Sequence, residues 1–306
     1  MMLFVEKEVE SHGERIKGMP IQQLEQLSTE IEQFGDTEKL NGFQEWILQH
    51  KYQFRPQDDA FPVQSVLVIA IPHPAYANVQ FEKDNRQYRF KSLVRSDFER
   101  CGAYLSALLA SHGYHLQPAP DLPLKRLAVR SGLARYGRNN ITYVEGLGSF
   151  FSLDAYFTDM PCESVPWAEL RMAEPCTDCQ RCRTACPTGA IREERFLIDN
   201  ERCLSYFNEM PGDFPVWLPP AVHHTLYDCL YCQMACPMNK PYASDVLESV
   251  SFDQNETELL LSGAAYGNFP PALQRKADLL GLTEWLPAIP RNLQVLFEQK
   301  KEKFTD

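Results

Sequence analysis

The chain has 306 residues, 44% of them hydrophobic and 11% aromatic, enough to bury a sizeable core. That excludes wholesale disorder, and at ~150 residues per domain it sets an expectation of two domains. A formal net charge of −11 argues against general affinity for nucleic acid. Between Glu82 and Arg138, however, eleven Lys and Arg face five Asp and Glu, which leaves open either a local basic patch or an ordinary solvated face.

Residues 1–60 read as a polar, helical N-terminal segment, in which Ile21, Leu24, Leu27 and Ile31 recur at spacings of three and four and 43–50 repeats the pattern briefly. The run from Val66 to Ile71, bounded by Pro62 and Pro72, has the character of a strand buried on both faces of a sheet. Positions 94–112 predict an amphipathic helix carrying Phe98, Cys101, Leu105, Leu108 and Leu109 on its apolar face, stopped by Gly113. A further helix is expected over 124–133, and strands over 140–144 and 150–157. Strands alternating with helices predict an α/β (α+β) layer over 61–165. The cysteine-rich segment 166–245 follows. Over 246–306 the chain returns to a helical register. Asp253 and Glu256 have capping-box spacing ahead of Leu259, and Pro270, Pro271, Pro287 and Pro290 separate short helices.

The N-terminus has no basic stretch followed by an apolar run and a cleavage site, and the longest apolar run is about seven residues against the ~20 that span a bilayer. A cytoplasmic protein without a membrane partner is the expectation. In that compartment clustered cysteines mean metal or catalysis rather than disulfides.

Eight of the ten cysteines fall in the 61 residues from Cys176 to Cys236. The first run, Cys176-Thr-Asp-Cys179-Gln-Arg-Cys182-Arg-Thr-Ala-Cys186-Pro187, has the spacing of a bacterial ferredoxin, whose fourth cysteine ligates the other cluster. The second run, Cys229-Leu-Tyr-Cys232-Gln-Met-Ala-Cys236-Pro237, lacks one cysteine, which Cys203 supplies. Two four-cysteine sets result: Cys176, Cys179, Cys182 and Cys236 for one [4Fe–4S] cluster, and Cys186, Cys203, Cys229 and Cys232 for the other. A zinc ribbon has no use for the third cysteine of the first run, and a disulfide scaffold needs an oxidising compartment. Cys101 reads as core, and His223 and His224 as a polar surface pair. No dinucleotide or phosphate-loop glycine motif is present.

The stretch Leu127-Ala-Val-Arg-Ser-Gly-Leu-Ala-Arg-Tyr-Gly137-Arg138-Asn139-Asn140, with Gly148-Ser149-Phe150-Phe151 and Phe157-Thr-Asp159, resembles the core of the epoxyqueuosine reductases, and more distantly the reductive dehalogenases. So do Cys203-Leu-Ser-Tyr206, Cys236-Pro-Met-Asn239 and Arg291-Asn292. The resemblance runs from about residue 63 to 295. It implies a nitroreductase-like cobalamin-binding core joined to a ferredoxin-like double [4Fe–4S] domain. The clusters would reduce a base-off cobalamin, which removes the epoxide oxygen from a hypermodified base of a tRNA anticodon loop. Carried over, Arg138, Asn139, Asn140, Thr142, Ser149 and Phe150 would contact the corrinoid, and Ser205 and Asn208 would face the same pocket. Reduced ferredoxin or flavodoxin is the expected electron donor.

Two departures from the family pattern stand out. The family's proton-donating aspartate, ten residues before Ala128, is Pro118 here; Asp121, Tyr136 and Tyr143 are the substitute acids. The sequence runs fourteen residues past Asn292, where the family continues into a helical repeat that helps grip tRNA. The competing expectation is therefore a corrinoid reductase or electron-transfer protein acting on a non-tRNA small molecule or on another corrinoid protein. A plain two-cluster electron carrier is a third.

Overall fold

The computed structural model describes residues 1–302 apart from 38, 57, 59, 165 and 194–196. In chain order the first elements are α1 (Met2–Ser11), β1 (Arg15–Pro20), α2 (Ile21–Thr37), α3 (Gly42–His50), β2 (Ser65–Pro72), β3 (Tyr76–Lys83) and β4 (Arg86–Ser92). Next come α4 (Phe98–Ala110), β5 (Leu116–Pro118), α5 (Leu124–Arg130), β6 (Arg135–Tyr136), β7 (Thr142–Tyr143) and β8 (Phe151–Thr158). The cysteine segment carries the short helices α6 (Arg181–Ala185), α7 (Leu204–Glu209) and α8 (Tyr231–Met234). The chain closes with β9 (Val246–Phe252), α9 (Gln254–Leu261), α10 (Pro271–Leu279) and α11 (Ile289–Glu302). Among the described residues no helix is long and apolar enough to cross a membrane.

The elements group into two units, each discontinuous in sequence. Unit 1 combines Met1–Pro72 with Ser96–Cys179, and unit 2 combines His73–Arg95 with the chain from Gln180 onward. This grouping crosses the sequence boundaries expected near 61, 166 and 246.

Unit 1 is built on a sheet of order β1-β2-β8-β5, antiparallel throughout. β2 is buried from Ser65 to Ile71, as its unbroken apolar run requires. Leu67, Ile69 and Ile71 join Val5, Val9, Cys101, Leu105 and Leu109 in one core, so α1 and α4 cover one face. Alternation along the strand sends Val66, Val68 and Ala70 the other way, the side on which α2 and α5 pack. A strand with helices on both faces reads as continuous apolar sequence even in an antiparallel sheet. Asp97 caps α4 by accepting the Arg100 N–H at 3.0 Å, which sets the start of the helix at Phe98 rather than 94. α5 stops at Arg130, with Gly132 in the left-handed region just beyond it.

The N-terminal segment is not all helical. β1 pairs along its length with β2, and Gly18 lies where an added Cβ would fall 2.7 Å from Cys162 Sγ, 2.8 Å from Met2 Sδ and 2.9 Å from Leu67 Cδ2.

Unit 2 holds the three-stranded sheet β4-β3-β9. β3 and β4 form a hairpin whose turn residues Asp84 and Asn85 both have positive φ, the geometry of a primed two-residue turn. β9 then adds in parallel to β3 from about 170 residues later in the chain. Phe81 stacks on Phe252 at 4.5 Å and meets Phe297 of α11 edge-on at 6.0 Å. The capping box expected at Asp253 and Glu256 is formed, each side chain accepting the other's backbone N–H.

The basic run between residues 82 and 138 is divided between the units. Several of its cations are committed internally: Arg100 to the buried carboxylate of Glu14, Arg130 to Glu30 and Lys83 to Asp84.

Candidate functional site

In unit 2 the four thiols of Cys186, Cys203, Cys229 and Cys232 share one neighbourhood. Cys186 follows α6, Cys203 caps the N-terminus of α7, and Cys229 and Cys232 flank the start of α8. Burial pushes the Cys203 thiol up to about 11, and the charge of Cys186 adds to the rise. Cys229 is raised by burial first, then by Cys232 and Cys203. Backbone N–H groups of Ser205 and Tyr206 point at the Cys203 sulfur and that of Tyr231 at Cys229, an arrangement that favours thiolate over thiol.

Four half-buried cysteines whose sulfurs repel one another as anions, two of them served by peptide N–H donors, suit a cationic iron–sulfur core, which replaces their protons. Among the described residues no three His, Cys, Asp or Glu side chains are drawn together around a single ion. A cubane takes one thiolate per iron, so its ligands need not converge as zinc ligands do. Of the other set, Cys176 and Cys179 belong to unit 1 and Cys182 and Cys236 to unit 2; Cys176 and Cys182 are buried.

A polar cage surrounds α7. The Ser205 hydroxyl lies 2.7 Å from Asp228 Oδ1 and 2.9 Å from Glu209 Oε1. A hydroxyl has one proton to give to two carboxyls; burial, then the charge of Asp228, pushes the Glu209 carboxyl well above the usual carboxylate range. Asn208 is fully buried, its amide donating to the Asp228 carbonyl at 2.8 Å and its Oδ1 accepting from His223 Nδ1 at 2.8 Å. Arg291 donates to the Phe207 carbonyl at 2.6 Å and to that of Gly212, and its guanidinium stacks 3.8 Å from the Phe214 ring centroid.

His223 and His224 are not the surface pair expected from sequence. His223 is only 3% exposed, and burial with the nearby Arg291 charge lowers it to about 4, so it is neutral. The pattern of two adjacent histidines carried no sign of this, because the polar partner that makes burial tolerable lies fifteen residues away. Asp228, Glu209 and His223 were all missed as members of one network for the same reason.

In unit 1 the loop Gly137-Arg-Asn-Asn140 joins β6 to β7. Gly137 is required by close approach: an added Cβ would fall 2.5 Å from the Tyr143 ring and 2.6 Å from Asn139 Oδ1. Asn140 adopts φ 59°, and Lys125 donates to its carbonyl at 3.2 Å. Asn139 is buried, its Nδ2 3.1 Å from the Tyr143 phenol oxygen. Thr142, Ser149 and Phe150 are buried in the same unit. Arg138 turns to the cysteine loop, donating to the carbonyls of Cys176 at 2.7 Å, Thr177 at 3.1 Å and Cys179 at 2.9 Å.

The three substitute acids are placed differently. Tyr136 is buried, and burial pushes its phenol up to about 12. Tyr143 is buried with its oxygen on Asn139. Asp121 is partly exposed, 3.5 Å from Lys51 Nζ. Pro118 ends β5, paired with Tyr156 of β8.

The cysteine segment defines the class of protein first: residues 175–239 match the family model of a 4Fe-4S double cluster binding domain. The chain is similar to the epoxyqueuosine reductase of Francisella cf. novicida, 27% identical over 131 residues, which cover 42% of this chain and 35% of that protein. It also superposes on the epoxyqueuosine reductase of Streptococcus thermophilus with a TM-score of 0.61 at 18% identity, covering 96% of this chain and 80% of the other. A second solved epoxyqueuosine reductase, in complex with an epoxyqueuosine-modified tRNA-Tyr stem loop, superposes with a TM-score of 0.61 at 20% identity, covering 92% and 76%. The fold is thus that of the epoxyqueuosine reductase structures, as the sequence motifs implied, while the sequence match spans about a third of the Francisella relative's length.

Proposed function

We propose that this chain is an iron–sulfur and cobalamin-dependent reductase that acts, as its relatives' name describes, on epoxyqueuosine in tRNA. The observation that supports this reading most is the set of four neighbouring, half-buried cysteines in unit 2, within a double-cluster segment, in a chain with the epoxyqueuosine reductase fold. Removal of an epoxide oxygen as water consumes two electrons and two protons. In this reading the electrons would come from reduced ferredoxin or flavodoxin, and the two four-cysteine sets would hold the clusters that relay them. A corrinoid, when bound, would supply a two-electron nucleophile.

The chain's own residues do the rest. Asn139, Asn140, Thr142, Ser149 and Phe150 would hold the corrin, the amide and hydroxyl groups matching its peripheral amides, while the Arg138 guanidinium is committed to the cysteine loop. Ser205 and Asn208, the further corrinoid contacts that the family resemblance implies, are fixed within unit 2 by the α7 cage. For the proton, Tyr136 is one candidate: its phenol is protonated at neutral pH, and burial makes it a weaker acid than a free phenol, able to give its proton only to a strongly basic alkoxide. Tyr143 and Asp121 are the alternatives.

The replacement of the family's acid by Pro118 supports a second reading, in which a corrinoid reductase of this type acts on a small molecule or on another corrinoid protein. The first reading requires corrinoid binding. Anaerobic purification with added cobalamin and a visible spectrum tests it, with stoichiometric uptake expected. No uptake at micromolar cobalamin would remove it and leave an electron-transfer protein that serves another corrinoid protein.

A further inference from the structure

Arg138 is a buried cation without an acid. It is 9% exposed, and three of its hydrogen bonds end on uncharged backbone carbonyls, those of Cys176, Thr177 and Cys179. The ion pairs among the described residues do not include it. A guanidinium removed from water needs compensating negative charge nearby, and carbonyl dipoles supply only part of it. The loop it grips carries the two cysteines that open the ferredoxin run. The same loop is fastened on its other side, where the Ala173 N–H donates to the Tyr136 carbonyl at 2.7 Å and the Cys176 N–H to the Ala173 carbonyl at 2.8 Å. The hairpin β6–β7 therefore serves the cysteine loop as a scaffold, with Arg138 reaching from its tip.

We infer that Arg138 is a positioning residue for the first cluster, holding the Cys176–Cys179 loop and providing the cationic counter-charge that raises that cluster's reduction potential. The inference rests on the assignment of Cys176 and Cys179 as cluster ligands. A [4Fe–4S] core with four thiolates is a dianion when oxidised and a trianion after it accepts one electron from a low-potential one-electron donor; no bond forms or breaks. A fixed cation beside it favours the more negative state, so the electron is held more tightly. Arginine suits the task because its planar fork spans three carbonyls while its charge never titrates away.

The experiment is a potentiometric titration, followed by electron paramagnetic resonance, of the anaerobically prepared, iron-loaded full chain and two variants. Arg138→Gln keeps a donor but loses the charge. It is expected to lower one of the two midpoint potentials by about tenfold in the reduction equilibrium, or about 59 mV for one electron, and to leave the other in place. Arg138→Lys keeps the charge and loses the fork, and is expected to stay near the wild-type potential. Unchanged potentials in Arg138→Gln, or an equal fall in both variants, would overturn the inference. If Arg138→Gln fails to retain its iron, Arg138→Lys decides alone: a wild-type potential supports the counter-charge and a lowered one contradicts it. A wild-type protein that takes up only one cluster's iron overturns the ligand assignment, and the inference with it, before any variant is made.

Discussion

Asn292 and Asn208 are joined by a hydrogen bond of 2.6 Å from the Asn292 amide to the Asn208 carbonyl, and the same amide reaches the Leu226 carbonyl at 2.9 Å. One side chain of α11 thus closes both α7 and the chain leading to Cys229. Asn292 is 1% exposed, so water has no access to replace it.

Truncation of that amide orphans two buried carbonyls. Asn292→Ala is expected to cost about 2–4 kcal/mol. In a chain of this size that is a fall of roughly 3–6 °C in melting temperature, read by a thermal scan of the anaerobic protein.

Acidification has a defined sign at His223. Its ordinary value of 6.5 falls to about 4 in the fold, so below pH 6.5 the unfolded chain binds a proton that the folded chain refuses. Stability is full above pH 6.5 and falls as pH drops towards 4, by about 3 kcal/mol from this residue. In His223→Gln the slope of melting temperature against pH between 6.5 and 4 should flatten.

Sulfur ligation separates the cysteines cleanly. Cys203→Ser is expected to halve bound iron from about eight to about four atoms per chain, measured by iron and sulfide assay. Cys101 lies on the buried face of α4 in the core of unit 1, so Cys101→Ser should leave the iron count unchanged.

Gly18→Val tests the unexpected strand. A side chain there meets Cys162, Met2 and Leu67 at once, and overpacking of this kind costs about 1–3 kcal/mol. Loosening β1 uncovers the edge of β2, so the variant should aggregate at a lower temperature than wild type, as light scattering would show.

What the sequence carried legibly was local. Cysteine spacing follows from how a loop wraps a cluster, the β2 run from burial on both faces, and the Asp253 cap from contacts three residues apart. What it hid was long-range. β1 is a strand because β2 pairs with it, and the Arg15–Pro20 stretch has no run of branched residues to announce itself. The β3–β4 hairpin did show its alternation in Ala77, Val79 and Phe81 with Asp84-Asn85 at the turn. The charges interleaved with it were read only as a basic patch or an ordinary solvated face. The parallel pairing of β3 with β9, which ties residues 73–95 to the second unit, depends on partners about 170 residues apart. The loop after Gly137 was recognised by its motif, but the grip of Arg138 on three carbonyls needed coordinates.

The central claim is the reaction, and one measurement reaches it. The iron-loaded, cobalamin-supplemented and reduced protein is incubated with an epoxyqueuosine-bearing tRNA stem loop, and the nucleoside is weighed by mass spectrometry. The account predicts multiple turnovers in which the nucleoside loses the mass of one oxygen atom. An unchanged nucleoside, with cobalamin bound and both clusters reducible, would contradict it and leave the small-molecule reading standing.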